Sequence, residues 1–132
     1  MLNNSNIITS IELNSGIIIT LSDETSHYFG GYYHVKILAQ CNVSLDRMFF
    51  DDEAQYLDAL DKLGQSVVFE RILEKMAVPE QDIALIRDQL VDSFKNTAIS
   101  YLSAPGFERS FVRNEYRSVL GKSVKKYAHK VL

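Results

Sequence analysis

Cysteine is almost absent from this chain: Cys41 is the only one, so no intrachain disulfide and no cysteine-based structural zinc site can form. A lone thiol suits a reducing compartment. The opening Met-Leu-Asn-Asn-Ser-Asn has neither a basic stretch nor the apolar run of a signal peptide. No segment approaches the roughly 20 apolar residues of a membrane span, and the expected location is therefore the cytoplasm. Chemical signatures are equally thin. His27, His34 and His129 have no metal-ligand spacing, and neither a His-Glu-x-x-His motif nor a phosphate-cradling glycine loop occurs. Cys41 and His34 lie seven residues apart, so on one strand they point to opposite faces and cannot pair as nucleophile and base. These absences lean away from an enzyme and imply no metal and no cofactor, although catalytic groups can converge from distant positions. No internal repeat or low-complexity tract is visible.

What the chain does have is the composition of a folded protein. Its 132 residues are 46% hydrophobic and 23% charged, enough for a real core without staples. The charge is unevenly divided. Residues 1–107 carry seven Lys/Arg against fifteen Asp/Glu, whereas residues 108–132 carry seven bases against two acids. An acidic body of about −8 and a basic end of about +5 underlie the net charge of −3. Such asymmetry points to interaction, either with the protein's own acidic body or with an external anion.

The first third reads as strand. Residues 7–13 alternate, Asn14-Ser15-Gly16 supplies turn chemistry, and the β-branched run 17–21 completes a hairpin. A polar loop, 22–26, leads to Tyr28-Phe29-Gly30-Gly31. The segment from Tyr32 to Val43 then has an apolar odd face (Tyr33, Val35, Ile37, Ala39, Cys41, Val43) and a mostly polar even face. Cys41 is thereby predicted to be a buried thiol.

The remainder reads as helix. Asp51 or Asp52 can cap a helix ending at Gly64, with Ala54, Leu57, Leu60 and Leu63 as its buried stripe. Residues 67–76 fit a strand poorly, since each face would mix charges with apolars, so a helix is expected there. Pro79 suits a first helical turn, and Ile83, Ile86, Leu90, Val91 and Phe94 trace a 3.6-residue stripe that can run on to Leu102. Ala104-Pro105-Gly106 is a break before a last helix ending at Gly121. The expected fold is a single α+β domain over residues 1–132, with a three-stranded antiparallel meander packed by about four helices. Within it, residues 1–45 are β-rich, 51–121 helical and 122–132 a basic tail.

Three constellations invite a functional reading. The segment 73–83 resembles the centre of a helix-turn-helix, but Glu80, Gln81 and Asp82 would confront phosphates with the wrong sign. Arg109, Arg113 and Arg117 recur every fourth residue and share a helix face, followed by Lys122, Lys125, Lys126 and Lys130 with Tyr127 and His129 among them. These bases can bind nucleic acid, or the arginines can pair with Asp58, Asp61, Asp88 or Asp92 of the same chain. Tyr28, Tyr32, His34 and Lys36 form the candidate ligand face, beside two glycines that permit close backbone approach. The favoured expectation is a non-catalytic interaction or adaptor module that self-associates or docks on a protein. The alternatives are nucleic-acid association through the basic end and a small-molecule or enzymatic role for the Tyr32/His34/Lys36 face.

Overall fold

The computed structural model describes residues 6–131, with side chains through Lys122. It is a mixed α+β protein with a five-stranded antiparallel sheet and three α-helices among the described residues. The expected α+β class stands; the expected three strands and four helices do not. The strands are β1 (Ile7–Glu12), β2 (Ile18–Asp23), β3 (Ser26–Phe29), β4 (Tyr32–Ser44) and β5 (Ser66–Pro79), and the helices are α1 (Glu53–Leu63), α2 (Ile83–Ser103) and α3 (Phe107–Val131). Two compact units are present. One joins the chain up to Asn42 with Val68–Ala104; the other joins Val43–Val67 with the chain from Pro105 onward.

The first unit is organised by β4. Its partners β2 and β3 keep one register, Thr20 opposite Gln40 and Ser26 opposite His34, and Glu24 donates its backbone N–H to Lys36 at 2.8 Å between them. The polar loop expected at 22–26 is therefore the middle of one long antiparallel partner of β4. It was hidden because Ser, Asp and Glu are poor strand formers, and here ladder pairing overrides that preference. β1 pairs with β2, with a bulge between Ile7 and Thr9. Along β4, Val35, Ile37 and Ala39 are wholly buried and Cys41 nearly so, as the alternation predicted.

β5 corrects the helix expected at 67–76. It pairs with β4. In the segment shared with the first unit, Gln40 Nε2 donates to Glu70 at 2.6 Å and Glu80 N–H donates to the Gly31 carbonyl at 3.2 Å. Val67 and Phe69 point inward, yet the next buried residue is Val78, of opposite parity. The parity of burial therefore changes along β5, and Ala77, just before Val78, stands in the left-handed region at φ 55°. The spacing of Val68, Ile72 and Met76, four apart, satisfies both a helical stripe and one face of a strand. The supposed helix-turn-helix fails with the same correction, because its first helix is β5. Pro79 ends that strand, and α2 starts at Ile83 rather than beside the proline. Its buried stripe is Val91, Phe94, Ala98 and Leu102, and Arg87 reaches Asp23 of β2 at 3.6 Å.

In the second unit, Asp52 caps α1 by accepting from Gln55 N–H at 2.8 Å, and Gly64 stops it at φ 82°. Both were readable from sequence. The buried stripe was not: Ala59 is the buried residue of α1, while Ala54 and Leu57 are exposed. Only one side of a short helix meets neighbours here, and Phe50, Tyr56 and Tyr116 define that side through ring contacts at 5.8 Å. α3 runs past Gly121, where an end was expected, to Val131. No helix among the described residues is long and apolar enough to cross a membrane.

Candidate functional site: the outer sheet face and the arginine row

In a sheet with one buried face, the opposite face is where partners or ligands can be met. On β4 that face carries Tyr32, His34, Lys36, Leu38, Gln40 and Asn42, none of them buried. β2 contributes Ile18, Thr20 and Ser22, and β5 contributes Val68, Glu70, Ile72, Glu74 and Met76. Ile18, Val68, Ile72 and Met76 are each close to half exposed (46–54%). A groove of about 240 Å³ on this face is lined by Ile18, Thr20, Gln40, Cys41, Asn42 and Val68.

The predicted ligand face is partly assembled. Tyr32, His34 and Lys36 do share the outer side of β4, and Tyr28 sits exposed in the bulge between His27 and Phe29. Lys36 Nζ lies 3.9 Å from Glu24, whereas His34 Nε2, 3.7 Å from Glu74, is beyond hydrogen-bond reach and is buried without a hydrogen-bond partner among the described residues. The Gly30-Gly31 corner is a hairpin turn, with Gly30 at φ 54° and its carbonyl accepting from His27 Nε2 at 2.5 Å. His27 packs edge-on against Tyr33 at 5.3 Å. Sequence reasoning missed the apolar members Ile18, Val68, Ile72 and Met76. The signal existed, since reading 68–76 as a strand puts the last three on one face with Glu70 and Glu74.

The second candidate lies in the helical unit. Arg109, Arg113 and Arg117 line one side of α3 with Ser110 and Asn114, around a groove of about 230 Å³. Arg113 is anchored: its guanidinium donates to the Phe49 carbonyl at 2.8 Å and lies 3.4 Å from Asp51. Arg117 donates to Asn114 Oδ1 at 3.2 Å, and among the described residues neither it nor Arg109 has a carboxylate partner. The expected pairing with Asp58 does not occur. Asp58 is engaged instead by Lys62 and by the Tyr116 hydroxyl, which donates to it at 2.5 Å. Those hydrogen bonds hold the Asp58 carboxyl below the usual carboxylate range, and the same bond pushes the Tyr116 phenol up to about 12. Lys122 is exposed, whereas Lys125, Lys126, Lys130, Tyr127 and His129 lie outside the described side chains.

No group of three or more His, Cys, Asp or Glu among the described residues could hold a metal ion. Comparison with protein-family models, with curated proteins and with solved structures finds no match.

Proposed function

We propose that this chain is a non-catalytic interaction module of the cytoplasm that associates with a second copy of itself through the outer face of its sheet. The observation that carries this reading is the exposure of Ile18, Val68, Ile72 and Met76 together on one side of the sheet. Single apolar residues on a surface are ordinary, but four on one sheet face, with Glu70 and Glu74 interleaved along β5, are more than a lone exposed side chain and fit a contact surface with a polar component. Of the carboxylates on this face, Glu24 lies 3.9 Å from Lys36 Nζ and Glu70 accepts from Gln40 at 2.6 Å. A two-fold contact is therefore expected to offset the two faces so that Glu70 and Glu74 of one copy do not meet those of the other. A small-molecule role for Tyr32, His34 and Lys36 is the second reading, favoured by His34 Nε2, which is buried without a hydrogen-bond partner among the described residues, and opposed by Lys36, which already lies beside Glu24.

The free edge of β5 is a poorer route to a dimer. In a two-fold pairing of antiparallel edges, residues opposite each other point to the same face, so their positions share parity. Centring the pair on Glu70, Arg71, Glu74 or Lys75 puts that residue opposite itself. Centring on Ile72 sets Glu70 against Glu74, and centring on Leu73 sets Arg71 against Lys75. Each register centred within residues 70–75 thus places like charges directly opposite, which destabilises a ladder, and leaves only registers centred nearer the strand ends, such as those on Val68, Phe69 or Met76.

Sedimentation velocity at about 100 µM, well above the nM–µM dissociation constants of specific complexes, tests the reading. Wild type is expected as a dimer, and Ile72→Glu and Met76→Glu as folded monomers with unchanged circular dichroism. A wild-type monomer at that concentration overturns the proposal, as does a dimer indifferent to both substitutions.

A further inference from the structure

The three arginines of α3 share one face. At about 100° per residue, Arg109, Arg113 and Arg117 fall within an arc of about 80°, while Glu108 and Glu115 lie on the opposite side. The row also has a fixed centre and two available ends. Arg113 is held by the Phe49 carbonyl and Asp51, and Arg109 and Arg117, both exposed, flank it without carboxylate partners among the described residues. Ser110 and Asn114 line the same groove and add neutral donors.

From this arrangement we infer that the groove along Arg109, Arg113 and Arg117 binds the phosphodiester backbone of single-stranded nucleic acid, independently of base sequence. Successive members of the row are about 6 Å apart along the helix axis, close to the separation of neighbouring phosphates along one nucleic-acid strand. Guanidinium groups match phosphate oxygens in a fork geometry that a lysine ammonium lacks. Among the described residues no aromatic side chain lines the groove, and Phe111 stacks on Phe107 at 5.8 Å instead. Base stacking, the usual aid to single-strand binding, has no platform among these residues, and affinity is expected from phosphate contacts. The groove residues are all polar, so the apolar face that a lipid surface requires is missing. This inference is independent of the self-association proposed for the sheet.

Fluorescence anisotropy of a labelled oligothymidylate, titrated with the full chain, is the test. Neutralising three phosphates gives a log–log salt slope of about −2, so affinity should fall about twentyfold between 50 and 200 mM salt. The variant Arg109→Ala/Arg117→Ala touches neither the Phe49 nor the Asp51 contact, and is expected to keep its circular dichroism. Its binding should weaken by about tenfold or more at 50 mM salt, with a slope nearer −0.7. Arg109→Lys/Arg117→Lys should retain the wild-type slope, since charge is kept. Binding that ignores salt, or that survives the alanine variant intact, overturns the inference. Tighter capture by a duplex of the same length, or by phosphatidylserine vesicles that the oligonucleotide does not displace, overturns it as well.

Discussion

The two units are held by different physics. The sheet unit is aliphatic: Ile19, Leu21, Val35, Ile37 and Ala39 have no exposed surface, and no polar or charged residue of the described chain is buried. Burial of such side chains is non-directional and is worth roughly 1.5–3 kcal/mol apiece. The helical unit also buries Val43, Ala59 and Val112 completely, and adds directed contacts to that burial: Phe50 against Tyr56 and Tyr116, Tyr116 to Asp58, and Arg113 to the Phe49 carbonyl. The lesson is that removing volume should hurt the first unit most, whereas removing one polar atom should be felt chiefly in the second.

The largest expected effect is in the core of the sheet unit. Phe94 is 2% exposed on α2, and Phe94→Ala should cost about 3–5 kcal/mol in urea unfolding. A cost below 1 kcal/mol would mean that the sheet unit tolerates lost volume, and the contrast with the helical unit would disappear.

Next comes backbone strain at the end of α1. Gly64 has φ 82° and ψ −164°, a region essentially closed to side-chain-bearing residues, although no atom lies within 4 Å of where a Cβ would stand. Gly64→Ala should therefore destabilise by about 1–3 kcal/mol through conformation alone, measured by the same unfolding assay. An unchanged midpoint would remove strain from the account of this turn.

A smaller loss, about 1 kcal/mol, is expected for Arg113→Ala, which strands the Phe49 carbonyl. Its ion pair with Asp51 is surface-exposed and adds little. Salt should accordingly leave most of the difference in place, and a loss that vanishes at 1 M salt would reassign it to charge.

The subtlest effect is in pH dependence. The Tyr116 phenol is raised from 10.0 to about 12 by its bond to Asp58, so its contribution is complete below pH 10 and is lost as pH rises toward 12. Asp58 is lowered, so its contribution is present above the ordinary carboxylate pKa and is lost as pH falls through the depressed value. Tyr116→Phe should remove the alkaline arm. Melting both proteins at pH 9 and pH 11.5 should give a smaller wild-type advantage at the higher pH, and an equal advantage at both would break the assignment.

Local signals made part of this architecture legible. The hairpin 7–21, the β4 alternation with Cys41 inside, the Asp52 cap and Gly64 stop, and the α2 stripe each depend on residues close in sequence, so a period of two or 3.6 and a capping side chain suffice to specify them. The arginine row was visible for the same reason, as a four-residue repeat on one helix. The apolar outer face was not, because it depends on residues 66–79 being a strand.

What the sequence alone determined, then, is the alternation of β4, the apolar stripe of α2 and the two ends of α1, at Asp52 and Gly64. Tertiary structure decided the state of β5, whose Val68, Ile72 and Met76 fit either periodicity until β4 offers a ladder. It also decided that Ser22 to Ser26 joins that ladder, and that Asp58 takes Lys62 and Tyr116 rather than an arginine. The physical reason is common to all three. Strand pairing and side-chain partnership are contacts between residues distant in the chain, and local preferences worth a fraction of a kcal/mol per residue yield to them.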